Sequence, residues 1–191
     1  MALSIDELRS KVTDLTNEGL NVQQVADELS ISQRTVTWLM GGADEADHPD
    51  DVRIGWRTIG VRPSRINAIG SIMADVVVEE IEEVDTIVGI SLNGIGFAQS
   101  IADSIDLDMA IFRSVNEDGG GHLSNKYGHV AGRKVAIIDD LFSTGTTMRK
   151  TIETLRAAGA EIVLCIVLVN KTEDNEVSGV PLRGLIRAVR V

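Results

Sequence analysis

The first 42 residues place apolar side chains at the spacing of an α-helix. In "SIDELRSKVTDLTNEG", Leu8, Val12 and Leu15 recur every three or four positions, and the opening "SIDE" has the Ser-x-x-Glu form of a capping box. Two shorter segments of the same kind follow, "NVQQVADEL" and "SQRTVTWLM", and glycines end the last of them. The pattern predicts a small all-helical domain.

Further along the chain the pattern changes to short apolar runs separated by helical segments. The runs "DTIVGIS", "DMAIFRS", "RKVAIID" and "EIVLCIVLV" have the length and β-branched content of buried strands. Helical periodicity returns in "RPSRINAIGSIMADVVVEEI", "GIGFAQSIADSI" and "TTMRKTIETLRAAG". Strands that alternate with helices indicate an α/β fold with a mainly parallel sheet flanked by helices.

The two patterns are separated by "GGADEADHPDD", an acidic segment with glycine and proline that is typical of a linker. We therefore predict a helical domain at residues 1–42, a linker or wing at 43–56, and an α/β domain at 57–191.

The end of this connection has the pattern of a short strand. In "VRIGWRTIG", Val52, Ile54 and Trp56 alternate as in a short strand, which favours either a wing beside DNA or the edge of the second domain.

Composition changes this picture little. Hydrophobic residues make up 43% of the chain and aromatic residues only 3%, so aliphatic side chains must fill the core.

The single cysteine, Cys165, lies in an apolar run and is predicted to be buried. One thiol cannot form an internal disulfide, which is typical of a protein in a reducing compartment. The opening residues lack the apolar region of a signal peptide, and the longest apolar run, 162–169, is too short to cross a bilayer. We expect a cytoplasmic protein without a membrane partner.

The second and third predicted helices have the spacing of a helix-turn-helix, with residues 32–40 as the recognition helix. Ala26 is small enough for the two helices to cross closely. Ser30 stands in the turn, where this motif usually has glycine, and serine tolerates a positive φ less well. The side chains predicted to lie on the exposed, DNA-reading face are Gln33, Arg34, Thr35 and Thr37.

The net charge of −11 argues against nucleic acid as a partner, but the charge is unevenly distributed. Residues 31–42 contain no acid, so the anionic total does not affect the predicted reading face. The alternative is a helical bundle used only for dimerisation. DNA binding is the favoured interpretation, because an acid-free, hydrophilic third helix has no obvious use in packing.

The stretch "VAIIDDLFSTGTT" carries the clearest chemistry in the chain. A buried strand delivers Asp139 and Asp140 to the carboxyl edge of the sheet, where α/β proteins bind ligands. The loop that follows leads into a helix whose first amides form a site for an anion. Paired carboxylates accept hydrogen bonds from neighbouring hydroxyls or help to hold a divalent metal. The pattern predicts a phosphorylated sugar as ligand, and the alternative is a helix cap without a ligand.

This stretch resembles the phosphoribosyl pyrophosphate motif of type I phosphoribosyltransferases, and the resemblance, nearest to the orotate enzymes, covers about residues 57–191. It implies that Asp139 and Asp140 hold the ribose 2′ and 3′ hydroxyls. It also implies that the next loop cradles the 5-phosphate and that "GISLNGIG" forms the pyrophosphate loop. The implied phosphate-loop residues are Ser143, Thr144, Gly145, Thr146 and Thr147, and the implied pyrophosphate-loop residues are Ser91, Leu92, Asn93 and Gly94.

The chain departs from those enzymes in the loop that closes over pyrophosphate, which is rich in Lys and Arg in orotate phosphoribosyltransferases. The corresponding segment begins with Glu117 and Asp118, and its cation is Lys126. Since stabilising a leaving pyrophosphate is mainly electrostatic, acids here weaken catalysis more than ground-state binding. His122 and Lys126 are the weak catalytic candidates. His122 and His129 are poor evidence for a metal, and no metal site is predicted.

Taken together, the two halves resemble the GfcR family of archaeal transcription regulators. This resemblance implies a regulator of sugar-catabolic genes that binds promoter DNA and senses a phosphorylated sugar such as phosphoribosyl pyrophosphate. Because helix-turn-helix proteins usually read paired half-sites, we expect a homodimer or a higher symmetric oligomer. No cofactor is expected beyond Mg²⁺ accompanying a pyrophosphate ligand. The alternative is an orotate phosphoribosyltransferase enzyme with a helical oligomerisation arm.

Overall fold

The chain divides into two compact units, Met1–Arg57 and Thr58–Val191, which we call the first and second units. The described residues of the predicted linker, 49 and 51–55, belong to the first unit. The structure is a computed structural model, and it describes residues 3–41, 49, 51–55, 57–114, 121–126 and 128–189.

The described part of the first unit contains the three predicted helices, α1 (Ile5–Asn17), α2 (Val22–Leu29) and α3 (Gln33–Gly41). The first two begin at capping boxes, in which the side chains of Ser4 and Asn21 accept hydrogen bonds from backbone amides three residues later. One apolar cluster joins the helices; its buried members are Val12, Val25, Ala26, Leu29, Ile31, Val36, Trp38 and Leu39.

The turn between α2 and α3 adopts the left-handed conformation that the motif requires although it lacks glycine. Ser30 has φ 54° and ψ 45°, and its amide donates to the carbonyls of Ala26 and Asp27. Ala26 is 4% exposed at this crossing. The serine therefore adopts the left-handed conformation for which the motif usually has glycine, at a conformational cost that glycine would avoid.

The predicted strand at the end of the linker is wrong for its described residues. Residues 51–55 form neither strand nor helix, and Val52 is 46% exposed. The segment bonds to the turn after α2 instead of to a strand partner, since Arg53 Nε donates to the Leu29 carbonyl at 2.9 Å and the Ile54 amide donates to the Ser30 carbonyl at 3.4 Å. Trp56 lies outside the described residues.

The second unit is built on a seven-stranded sheet in the order β3-β2-β1-β4-β5-β7-β6. The central pairs are parallel, as predicted, and the two edge strands β3 and β6 are antiparallel to their neighbours. The strands are β1 (Thr86–Ile90), β2 (Asp108–Ser114), β3 (Gly121–Leu123), β4 (Lys134–Phe142), β5 (Glu161–Asn170), β6 (Glu176–Val177) and β7 (Val180–Arg187).

Helices cover both faces of the sheet. Val88 of β1 packs in one apolar cluster with Met148 and Ile152 of α7, whereas the neighbouring Gly89 points to the opposite face and lies against α6. Every residue of β1 is buried, as expected of a central parallel strand. The short helix α4 (Arg57–Gly60) begins at the last residue of the first unit, and the longer helices of the second unit are α5 (Pro63–Glu80), α6 (Gly94–Ile105) and α7 (Thr146–Ala157). Within the described residues, no helix is both long enough and apolar enough to cross a membrane.

Cys165 is a core residue, as predicted. Its side chain is 0% exposed in the centre of β5, and burial raises the pKa of the thiol to about 12. The thiol is therefore neutral and unreactive at physiological pH.

Candidate ligand site at the carboxyl edge of the sheet

The acid pair lies on β4 itself. The strand continues through Asp139 and Asp140 to Phe142, beyond the predicted end of the apolar run, because it stays in register with the long β5 as far as Asn170. Both carboxylates are half-buried at the carboxyl end of the strand, and the Asp140 amide donates to Asp139 Oδ1 at 2.9 Å. The two acids are thus held by regular backbone and reached by solvent.

The loop after β1 lies next to this pair, because β1 and β4 are parallel neighbours. Asn93 Nδ2 donates to Asp140 Oδ2 at 3.0 Å, which joins the predicted pyrophosphate loop to the predicted ribose-binding acids. Ser91 accepts a hydrogen bond from the Ser114 amide at 3.2 Å, and its peptide bond to Leu92 is cis. Leu92 is 81% exposed at the tip of the loop.

Gly94 permits this close approach. A Cβ at this position would lie 2.5 Å from the Ile138 carbonyl oxygen and 3.1 Å from Asp139 Cα. The absence of a side chain lets the start of α6 rest directly on the backbone that carries the acid pair.

We therefore expect Gly94→Ala to lower the free energy of unfolding by about 1–3 kcal/mol, the usual cost of forcing atoms into a packed site. It should also weaken binding of phosphoribosyl pyrophosphate, since the loop must move away from the acids. Urea unfolding and calorimetric titration measure the two effects.

Gly96→Ala is the matched control, because a Cβ there would meet Ile66 Cγ2 at an ordinary 3.4 Å. Alanine also favours the helix over glycine by about 0.8–1 kcal/mol. Equal stabilities for the two variants would contradict the close packing of Gly94.

The predicted phosphate loop leads directly into α7. Gly145 is the N-cap residue, with φ 72° and ψ 4°, and it provides no side-chain cap to the helix. The hydroxyls of Thr144 and Thr146 lie 3.0 Å apart at the same turn. Amides at an uncapped helix N-terminus, with hydroxyls beside them, form the kind of site that binds phosphate.

Arg149 adds a cation that the sequence interpretation missed. Its guanidinium donates to the Thr144 carbonyl, and its backbone amide donates to the Gly145 carbonyl at 2.9 Å, so it lies one helical turn after the loop. The sequence signal for this cation was the four-residue spacing between Gly145 and Arg149, because residues four apart lie on one face of a helix. The side chain is exposed and strengthens the positive field at the loop.

The two weak catalytic candidates lie on the side of β1 that faces away from β4 and its acid pair. His122 is exposed on β3, in register with Arg113 of β2, and Lys126 is exposed in the turn that follows. Glu117 and Asp118 lie outside the described residues. The described residues include no group of three or more His, Cys, Asp or Glu side chains placed to hold a metal ion.

In the first unit, α3 exposes three of the four predicted DNA-reading residues, Gln33, Arg34 and Thr37. The prediction that Thr35 is exposed is wrong: it is 5% exposed, and its hydroxyl donates to Asp51 Oδ2 at 2.8 Å. The helical period turns Thr35 toward the core side together with Val36.

A cavity of about 710 Å³ lies elsewhere in the second unit. Its lining includes Val77, Ile81 and Lys134, and it opens at the amino ends of β1, β4 and β5, the edge opposite the acid pair. The residues that the sequence predicts to bind a ligand, namely the acid pair, Asn93 and the phosphate loop, lie instead at the carboxyl edge.

The chain is similar to one protein family and to named transcriptional regulators. The phosphoribosyl transferase domain model matches residues 55–184. The transcriptional regulator GfcR of Thermoplasma acidophilum is 40% identical, covering 96% of this chain and 96% of that protein. GfcR of Haloferax volcanii is 33% identical, covering 98% of each chain.

Solved structures share the fold at lower identity. Orotate phosphoribosyltransferase from Aeropyrum pernix superposes with a TM-score of 0.61 at 20% identity, covering 76% of this chain and 83% of that one. The Mycobacterium tuberculosis H37Rv orotate phosphoribosyltransferase in complex with phosphoribosyl pyrophosphate has a TM-score of 0.59 at 18% identity, covering 71% and 81%. At these identities the similarity establishes the type I phosphoribosyltransferase fold alone.

Proposed function

We infer the function from the premise that this chain belongs to the phosphoribosyl transferase domain family and, within it, to the GfcR transcriptional regulators of archaea. We propose that the first unit reads promoter DNA of sugar-catabolic genes. The second unit binds a phosphorylated sugar effector such as phosphoribosyl pyrophosphate, and this binding changes the affinity for DNA.

One observation carries the proposal. The similarity to the named regulators extends over 96% of the chain, so the helical unit and the phosphoribosyltransferase-like unit occur together in the relatives as they do here. A regulator needs both parts, a reading helix and a ligand site, whereas an enzyme needs only the second.

The ligand site has donors and acceptors for such an effector. Asp139 and Asp140 accept hydrogen bonds from the ribose hydroxyls, and the loop at 143–147 receives the 5-phosphate beside Arg149. A pyrophosphate group would lie by the loop at 91–94 and bring Mg²⁺ with it; no other cofactor is required. Coupling of this kind between two sites is typically worth about 1–3 kcal/mol.

The second candidate function is orotate phosphoribosyltransferase activity. It is favoured by the convergence of the acid pair with Asn93 at 3.0 Å and with a complete phosphate loop. The acids in the segment that corresponds to the closing loop favour the regulator instead.

The decisive experiment measures DNA binding and turnover on the same full-length protein. Fluorescence anisotropy compares a sugar-catabolic promoter fragment with a shuffled duplex at several salt concentrations, with and without phosphoribosyl pyrophosphate and Mg²⁺. We expect the protein to prefer the promoter fragment, and we expect the ligand to change its affinity for that fragment. We expect no orotate turnover in the usual enzyme range of about 1–10³ s⁻¹. Brisk turnover without promoter preference would overturn the proposal.

We also propose that the protein acts as a homodimer or a higher symmetric oligomer, because helix-turn-helix proteins usually read paired half-sites. Sedimentation with and without DNA measures this state directly.

A further inference from the structure

A short segment outside the helix-turn-helix is fastened to its turn. We call residues 51–55 the strap. Arg53 Nε donates to the carbonyl of Leu29, the last residue of α2, and the Ile54 amide donates to the carbonyl of Ser30 in the left-handed turn. The strap therefore follows the connection between α2 and α3, although it lies about twenty residues further along the chain.

The first residue of the strap, Asp51, caps the start of α3. Its Oδ2 atom accepts the Ser32 amide at 2.5 Å and the Thr35 hydroxyl at 2.8 Å. Ser32 also caps the helix locally, because its hydroxyl accepts the Thr35 amide at 3.1 Å. The recognition helix thus has two caps, one from its own sequence and one from the strap. A carboxylate here is additionally favoured by the positive end of the helix dipole.

The capped turn carries the residues that are proposed to read DNA. Gln33 and Arg34 lie between Ser32 and Thr35, and they are exposed while Thr35 is buried. Fixing the backbone on both sides of Gln33 and Arg34 fixes the direction in which their side chains project. A side chain that must reach one base edge depends on this direction more than a side chain that contacts any phosphate.

We propose that Asp51 is a positioning residue for DNA recognition, which rests on the proposed function. It holds the first turn of α3 in the geometry in which Gln33 and Arg34 meet the bases, and does not contact DNA itself. The rest of α3 does not depend on it, because Val36 and Leu39 anchor the helix with 0% and 2% exposure and Ser32 remains as a cap. Loss of Asp51 should therefore loosen one turn rather than unfold the unit.

The test compares three full-length variants. Asp51→Ala removes the acceptor, and Asp51→Asn keeps an acceptor of the same shape without the charge. Asp14→Ala removes one exposed acid from α1 of the same unit as the charge control. Anisotropy gives the affinity of each for the promoter fragment and for the shuffled duplex at one salt concentration.

We expect Asp51→Ala to weaken promoter binding about three- to thirtyfold relative to Asp14→Ala, because the DNA-competent first turn of α3 loses the stability that a helix cap contributes. Binding to the shuffled duplex should change little, because phosphate contacts tolerate a loosened turn. Asp51→Asn should restore promoter binding. Equal promoter affinities for Asp51→Ala and Asp14→Ala would overturn the proposal. So would parallel losses on both duplexes with a lower melting temperature, or an Asp51→Asn variant as weak as Asp51→Ala.

Hydrogen exchange tests the same proposal without DNA, so its failure is separable from failure of the proposed function. Asp51→Ala should speed exchange of the Ser32 and Thr35 amides while the amides of α1 and α2 keep their protection. Unchanged exchange in the first turn would overturn the positioning role whether or not the protein binds promoters. If Asp51→Ala does not fold, Thr35→Val removes one donor to Asp51, the Thr35 hydroxyl, and should show a smaller loss of promoter preference.

Discussion

Asp139→Asn combined with Asp140→Asn should abolish the influence of phosphoribosyl pyrophosphate on DNA binding. The two carboxylates are proposed to accept hydrogen bonds from neighbouring ribose hydroxyls, and each bond to a charged group contributes about 1.5–3 kcal/mol. Losing both charges should lower the affinity for phosphoribosyl pyrophosphate at least about a hundredfold, since 1.4 kcal/mol corresponds to a factor of ten. Calorimetric titration with Mg²⁺ measures the affinity, and anisotropy with and without ligand measures the response.

The double variant should keep its fold, because both side chains are half-buried at the end of β4 and asparagine has the same shape. The control is Asp75→Asn with Asp103→Asn, which removes two exposed acids from α5 and α6. A ligand response that survives loss of the acid pair would place the effector in another pocket of the second unit.

The main elements were predictable because their signals are local. Capping boxes mark the starts of α1 and α2 within four residues of sequence, and the central strands are apolar runs whose length excludes most helices. Two strands were missed because their local signals are weak. The edge strand β3 has three residues in a glycine-rich segment, and β7, next to the other edge strand, contains Pro181 and Gly184, which argue against a strand when read alone. Gly184 is needed there, because a Cβ would lie 2.7 Å from Asn170 Cβ.

The arrangement of the candidate site was predictable in part. The acid pair and the predicted phosphate loop are contiguous in sequence, so one motif places both at the carboxyl end of β4. The contact between Asn93 and Asp140 spans 47 positions and exists only because β1 and β4 are adjacent in the sheet, which periodicity does not reveal. The resemblance placed the two loops in one site, and the sheet order explains why they meet.

The reading face of α3 shows the limit of a helical pattern without its neighbours. Thr35 is polar and was expected outside, but the direction of α3 against the core turns it inward. Its hydroxyl is satisfied by Asp51, which lies 16 positions away and outside the motif. A buried polar residue of this kind needs a partner, and the partner cannot be identified from local spacing.

Arg34→Ala should reduce affinity for a specific promoter fragment by about 1–3 kcal/mol, or roughly five- to 150-fold, if the guanidinium pairs with one guanine. The side chain is exposed in the first turn of α3, and residues 31–42 contain no acid to compete for it. A base contact predicts a loss concentrated on the promoter fragment and on one position of its sequence. A phosphate contact would instead weaken every duplex similarly and lower the salt slope by about one.

Lys11→Ala is the matched control, because it removes one exposed cation from α1 of the same unit. It should leave the ratio of promoter to shuffled affinity unchanged. Anisotropy on the promoter, on single-base variants of it and on the shuffled duplex separates the two contacts. Promoter binding that is unaffected by Arg34→Ala would mean that Arg34 in the first turn of α3 does not read DNA. The proposal that Asp51 positions Arg34 for DNA recognition would then be wrong as well.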